Sequence, residues 1–272
     1  MTTPALPSRP AGQRRRDDPG PGRPAQSRSP GPGPHGPEMD DGYNYAAFSF
    51  ALKPGGLEHW LREGPKPGQT APGFRLESVA GASVCLSEFR GRPVVLEFGS
   101  YTCPIFCANI EPMEAIAQHH PEAAFLVVYT REAHPGELIP AHRTIQDKRE
   151  AARRLLADEP IRRAVLIDDI VGTVHRAYGT AWDSVYVIDR TGTVVLRQAW
   201  TSPTDVDAVL SDLAAGTSTM PRQTTEMDPA MPVGRPLDES LLRGGKQALL
   251  DFCTTAPPGL RQRLRRLPSQ AV

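Results

Sequence analysis

The run from Pro93 to Cys107, PVVLEFGSYTCPIFC, places a thiol where one kind of structure gives way to another. Val94, Val95, Leu96 and Phe98 read as a strand that ends at Gly99-Ser100, and Pro104 suits the first turn of a helix opening after Cys103. Backbone N–H groups and the helix dipole favour a thiolate at such a mouth, so Cys103 is the candidate nucleophile. Cys107 lies one helical turn further on and on the same face. It is either a core residue or a second thiol that resolves an oxidised Cys103, at a spacing near the upper end of the disulfide range.

A second group follows in the loop REAHPGELIPAH (131–142), after an apolar run of strand length. Open α/β sheets place their sites at the carboxyl ends of parallel strands, so Glu132 and His134 are candidates for the site. Histidine titrates near neutral pH, as protonation of a leaving group requires. His142 is either a partner to them or the first residue of the next helix. His119 and His120 end a helix and are expected to cap it. Cys85 alternates with Val84 and Leu86 and reads as a small core residue.

These residues need elements to hold them. RLES (75–78) and ASVCLSEF (82–89) read as two short strands, followed by the central strand ending at Phe98. Ile105, Ile110, Met113 and Ile116 predict a helix to His119, with Pro112 inside it. AAFLVVYT (123–130) and RRAVLID (162–168) are nearly continuous apolar runs, as in strands buried on both faces. Between them, 143–157 predicts a helix with Ile145, Ala152, Leu155 and Leu156 inward. A short helix at 171–179, a hairpin over 184–200 around Asp189-Arg190-Thr191-Gly192 and a closing helix at 202–216 complete the order. Strands that alternate with crossover helices imply an α/β fold with a mixed central sheet flanked by helices.

The domain organisation follows from composition. Residues 1–42 are rich in Pro, Gly and Arg and are expected to be disordered, since they offer little apolar surface to offset ordering entropy. Residues 43–65 hold a short helix around Leu57, Trp60 and Leu61, residues 66–216 form the domain, and 217–272 form an extension with one amphipathic helix over 238–253. Lys+Arg and Asp+Glu are equal at 31 each, so no global field points to nucleic acid or an anionic membrane. Four cysteines with a single close pair make neither a disulfide-stapled scaffold nor a zinc site. The opening residues lack the apolar core of a secretory signal, and no run approaches the roughly 20 apolar residues of a membrane span. A cytoplasmic protein, a monomer or a homodimer, is the expectation.

Several separated pieces, in order, resemble the iodothyronine deiodinases and, more distantly, peroxiredoxin-like proteins of the thioredoxin fold. They are Leu86-Ser87-Glu88-Phe89-Arg90-Gly91-Arg92-Pro93, EFGSYTCPIF (97–106), YTREAHPGE (129–137), AHRTIQDKREAARRLL (141–156) and AYGTAWDSVYVID (177–189). The resemblance covers roughly residues 66 to 215. It implies a thioredoxin-like fold, places Cys103 where the vertebrate enzymes carry selenocysteine, and assigns His134 as proton donor or orienting group with Glu132 supporting it. His142 and Asp147 stand on matching positions. Ser100, Thr102, Tyr178 and Asp183 become candidates for lining the substrate cleft. No bound cofactor is implied, only an external thiol reductant of the thioredoxin or glutathione type acting on a small-molecule substrate. Asp183 replaces the vertebrate Glu, and the glycine-rich run associated with iodothyronine binding is missing near Trp200, so a thyroid-hormone substrate does not follow. The competing readings are a thiol peroxidase or disulfide reductase, which Ser100-x-x-Cys103 fits only in part, and a non-enzymatic binding module.

Overall fold

A computed structural model describes residues 42–50, 57–217, 221–226 and 237–256. The expected disordered tail, apart from Gly42, and the basic end beyond Ala256 lie outside the described residues. Among the described residues no helix is long and apolar enough to cross a membrane.

The central strand forms where the apolar run predicts it. β3 (Val94–Gly99) is buried along its whole length. It pairs in parallel with β4 (Ala124–Tyr129), and antiparallel with β6 (Val185–Ile188). β4 pairs in parallel with β5 (Ala164–Ile167), and β6 forms the expected hairpin with β7 (Val194–Gln198). β1 (Arg75–Ser78) and β2 (Ser83–Cys85) extend the β5 edge, and β8 (Arg222–Thr224) lies on β7. The order β2-β1-β5-β4-β3-β6-β7-β8 is a thioredoxin-like βαβ…ββα core with added edges.

Side chains alternate across the sheet and divide the core. Val94, Leu96 and Phe98 join Tyr178, Tyr186 and the short α4 (Thr173–Ala177) on one face. Val95, Val127 and Tyr129 pack on the other against α2 (Pro104–His119), α3 (Ile145–Asp158) and α5 (Pro203–Ala214). Local chemistry sets the helix starts. Cys103 and Pro104 occupy the N-cap and first position of α2. Thr144 and Asp147 close a capping box on α3, and Ser202 caps α5.

Several expectations are corrected. The predicted strand 82–89 stops at Cys85 and tightens into a 3-10 turn over Leu86–Phe89. Ile145 is exposed on α3, and the buried residue of that turn is Lys148, whose ammonium donates to the Asp169 carbonyl at 2.7 Å. As expected, His119 and His120 close α2, His119 in its last turn and His120 at the C-cap with its ring on Asp207 at 2.8 Å. The single helix over 238–253 is two, α6 (Leu237–Leu242) and α7 (Lys246–Thr255), divided at Gly244-Gly245. The break has a steric cause. A Cβ on Gly244 would meet the His134 carbonyl oxygen at 2.5 Å, and one on Gly136 would meet the Gly244 oxygen at 2.4 Å. The two loops touch backbone to backbone, and Glu137 then caps α7 by accepting from the Lys246 and Gln247 amides.

One polar cluster crosses the core beneath the site. Glu97 of β3 and Glu114 of α2 both pair with Arg163, and Arg163 Nε lies 2.8 Å from Glu114. Removing the cation leaves two carboxylates in a buried space. Arg163→Met should therefore cost about 3–5 kcal/mol of stability, read as a lowered urea midpoint; a loss below about 1 kcal/mol would show that the carboxylates are not held by this pair.

Candidate functional site

The parallel pairing of β3 with β4 brings Gly99 beside Tyr129, so both strands release their loops at the same edge. Ser100 to Cys103 leave one strand and Thr130 to His134 the other. Their hydroxyls and one carboxylate join the two loops. Ser100 Oγ accepts from the Ala133 amide at 3.0 Å, and Thr102 Oγ1 accepts from the His134 amide at 3.0 Å. Glu132 Oε2 accepts from the Thr102 amide at 3.0 Å and from its hydroxyl at 2.6 Å. Its Oε1 accepts from the Tyr129 hydroxyl and lies 3.2 Å from His142 Nε2, off the hydrogen-bonding line. Burial alone would raise the Glu132 pKa; His142, Thr102 and Tyr129 outweigh it and hold the carboxyl below its ordinary value.

Cys103 sits at the centre, only 2% exposed. The amides of Ile105 and Phe106 point at its sulfur, as a helix N-terminus should. Yet burial, then the nearby Asp183, push the thiol well above its usual pKa. The expectation of a resting thiolate is thereby corrected, because in this closed state desolvation exceeds the helix-mouth effect. Asp183 is fully buried, accepts from the Thr201 amide at 3.2 Å and from its hydroxyl at 3.3 Å, and is raised well above a usual carboxyl by burial and by Glu97. Cys103 and Cys107 are both present as thiols.

His134 is placed beside the site but in a different protonation state from the one expected. It is 6% exposed, with its ring 4.2 Å from that of Phe48 and 5.3 Å from that of Phe252, and Nδ1 has no hydrogen-bond partner among the described residues. Burial lowers its pKa to about 3, against a smaller opposing pull from Glu132. It is a neutral imidazole at pH 7, not an imidazolium donor.

The structure brings Cys103, Cys107, Glu132, His134, His142 and Asp183 to one edge. Ser100 and Thr102 brace the loops and do not line a cleft. Tyr178 is removed from the site: it packs with Phe98 and Tyr186 on the opposite face of the sheet, and its hydroxyl donates to the Pro72 carbonyl at 2.7 Å. A cavity of about 300 Å³ opens beside His142, between Leu138, Pro140 and Arg154; Cys103 does not line it.

Distant residues complete the site. Tyr45 accepts from Trp182 Nε1 at 2.9 Å and donates to the Ala133 carbonyl at 2.8 Å. Phe48, Trp182 and Phe252 form an aromatic cover with His134. Arg131 lies over the rings of Tyr43 and Tyr45. The only signal for these in the sequence is the return of aromatics after residue 42, which does not say where they dock.

A sequence model of the iodothyronine deiodinase family matches residues 43–205. The match takes in the aromatic lead-in as well as the domain, so it begins earlier than the resemblance seen from motifs. Curated relatives include the human thyroxine 5-deiodinase, 33% identical over 116 residues, or 39% of this chain and 38% of that protein. The thyroxine 5-deiodinase of Aquarana catesbeiana is 34% identical over 134 residues, 44% of this chain and 49% of the relative. The chain thus matches less than half the length of either. Among solved structures, an uncharacterized conserved protein from Geobacillus kaustophilus superposes with a TM-score of 0.48 at 18% identity, covering 58% of this chain and 87% of that one. A putative thiol:disulfide interchange protein from Chlorobium tepidum gives 0.44 at 24% identity, covering 56% and 97%.

The burial of neutral His134 has a measurable consequence. The unfolded chain binds a proton at this residue below about pH 6.5, whereas the folded chain does so only at about 3. Its contribution to stability is full above the higher value and is lost as pH falls toward the lower one, by up to about 1.4 kcal/mol per pH unit. Urea titrations between about pH 7 and about pH 4.5 should show a shallower decline in His134→Gln than in the unsubstituted chain. Equal slopes would mean that the ring takes up its proton in the folded state.

Proposed function

The chain belongs to the iodothyronine deiodinase family, and from that premise we propose that it is a thiol-dependent oxidoreductase that reductively removes halogen from an aromatic substrate. The observation that carries this reading is Cys103 itself: a reduced cysteine at the N-cap of α2, facing two helix amides near the carboxyl of Asp183, inside the segment that matches the family.

The chemistry is a two-electron exchange. The Cys103 thiolate attacks the halogen, forming an S–I bond as the C–I bond breaks, and the aromatic carbon takes a proton. Asp183 supplies that proton: burial and Glu97 favour its protonated form, whereas burial holds His134 neutral. Glu132 positions Thr102 and hence the Cys103 loop. His134, neutral and next to the aromatic cover, orients the ring of the substrate. Two electrons from an external thiol reductant, one dithiol of the thioredoxin type or two monothiols of the glutathione type, then displace iodide with release of a proton, and the reductant leaves as a disulfide once Cys103 is a thiol again. Reaction requires the residues that bury Cys103, Trp182 among those packed on its cluster, to admit substrate; wetting of the site then removes the desolvation that raises the thiol. The peroxidase reading is less favoured, because the position three residues before Cys103 holds Ser100 rather than Thr, and its hydroxyl oxygen accepts from the Ala133 amide.

Iodide release from iodinated tyrosine and thyronine, with excess dithiol, tests the proposal. The unsubstituted chain should release iodide, and Cys103→Ser should abolish release. Asp183→Asn should lower kcat by about 10²-fold with KM little changed. No release from folded protein would remove dehalogenation from the reading and leave a peroxide- or disulfide-reacting thiol.

A further inference from the structure

Arg243 lies in the loop between α6 and α7, beyond the residues that match the family, and reaches into the site from the C-terminal side. Its Nη1 is 3.0 Å from Cys107 Sγ and 3.4 Å from the Tyr101 carbonyl. Its Nη2 is held by Glu159, and its guanidinium lies 4.8 Å from the centre of the Tyr101 ring. A planar cation fixed by a carboxylate and an aromatic face has little freedom left, and one of its donors is aimed at a sulfur.

We propose that Arg243 is a positioning residue that holds Cys107 as the resolving thiolate for Cys103. The backbone favours this pairing. Cys103, at the N-cap, has extended dihedrals (φ −87°, ψ 111°) and is not locked in the helix, while Cys107 donates its amide to the Cys103 carbonyl at 3.0 Å. The two Cα atoms are therefore one turn apart, about 6 Å, within the range a disulfide spans. Among the described residues, groups acting on the buried Cys107 sulfur include the Arg243 cation from the α6–α7 loop, Tyr101 from the β3–α2 loop, Tyr129 from β4 and Cys103 from the start of its own helix. The Tyr101 carbonyl, 3.5 Å away, accepts the thiol proton until the sulfur ionises.

The step balances without a further oxidant. Cys103, once oxidised by the substrate, carries a leaving group on sulfur, iodide after an aryl iodide or hydroxide after a peroxide. The Cys107 thiolate attacks Cys103 Sγ, the S–S bond forms, and the leaving group departs with the electron pair. An external dithiol then returns two electrons and two protons. The inference rests on Cys103 being the reactive thiol, as proposed above, but not on the halogen being its substrate.

The test reads thiolate absorbance near about 240 nm against pH, as the difference between the full chain and its Cys107→Ser variant, so that the other thiols and the tyrosines cancel. The Cys107 step should fall below the ordinary thiol value of about 8.5. In Arg243→Gln it should rise by about one pH unit or more, and Arg243→Lys should recover part of the shift. One equivalent of hydrogen peroxide should give a Cys103–Cys107 disulfide, seen by peptide mapping, about tenfold more slowly at neutral pH in Arg243→Gln. A Cys107 step at or above the ordinary value in the unsubstituted chain, a step unmoved in Arg243→Gln, or oxidised Cys103 with no bond to Cys107 would each overturn the proposal. Disulfide formation without iodide release would uphold it while removing dehalogenation.

Discussion

The site depends on one buried carboxylate. Glu132 receives the amide and hydroxyl of Thr102 and the hydroxyl of Tyr129, with the edge of His142 beside it, and so ties the loop that carries Cys103 to the loop of the neighbouring strand. An ionised group in such a place is costly unless its lone pairs are occupied, and here three hydrogen bonds occupy them, with His142 Nε2 close by. Without it, Thr102 would lose the acceptor that sets the register of the turn before Cys103. Parallel pairing makes the tie feasible, because it ends β3 and β4 at the same level.

Burial then decides where protons reside. Cys103, Asp183 and Tyr129 all hold theirs more tightly than in water, and His134 refuses one, for the same reason: each uncharged form avoids desolvating a charge. Trp182 packs on the cluster that holds Cys103 and on Phe48 beside His134, so the aromatic residues contribute to the same burial.

The C-terminal extension belongs to the site in physical terms. Gly136 and Gly244 let two backbones touch, Glu137 caps α7, and Phe252 closes on His134. Through the same contact Arg243 reaches Cys107.

Much of this was legible in order of sequence. Apolar runs located the strands, Pro104, Thr144 and Ser202 marked the helix starts, and separated motifs identified the family, because these signals are local. Cys103, Glu132 and Asp183 could be picked out as residue types, but their protonation could not, since desolvation depends on what covers a group and the covering residues are far away in the chain. Tyr178 shows the limit from the other side. Its sequence neighbourhood suggests a cleft, yet strand alternation turns Phe98 away from Cys103 and takes Tyr178 with it. The division of 238–253 into two helices was likewise unreadable from periodicity, which is the same on both sides of Gly244-Gly245. Local sequence determined the elements and the family; the tertiary structure alone decided which charges are favoured beside Cys103, because burial and charge pairing act through space between residues that the chain keeps apart.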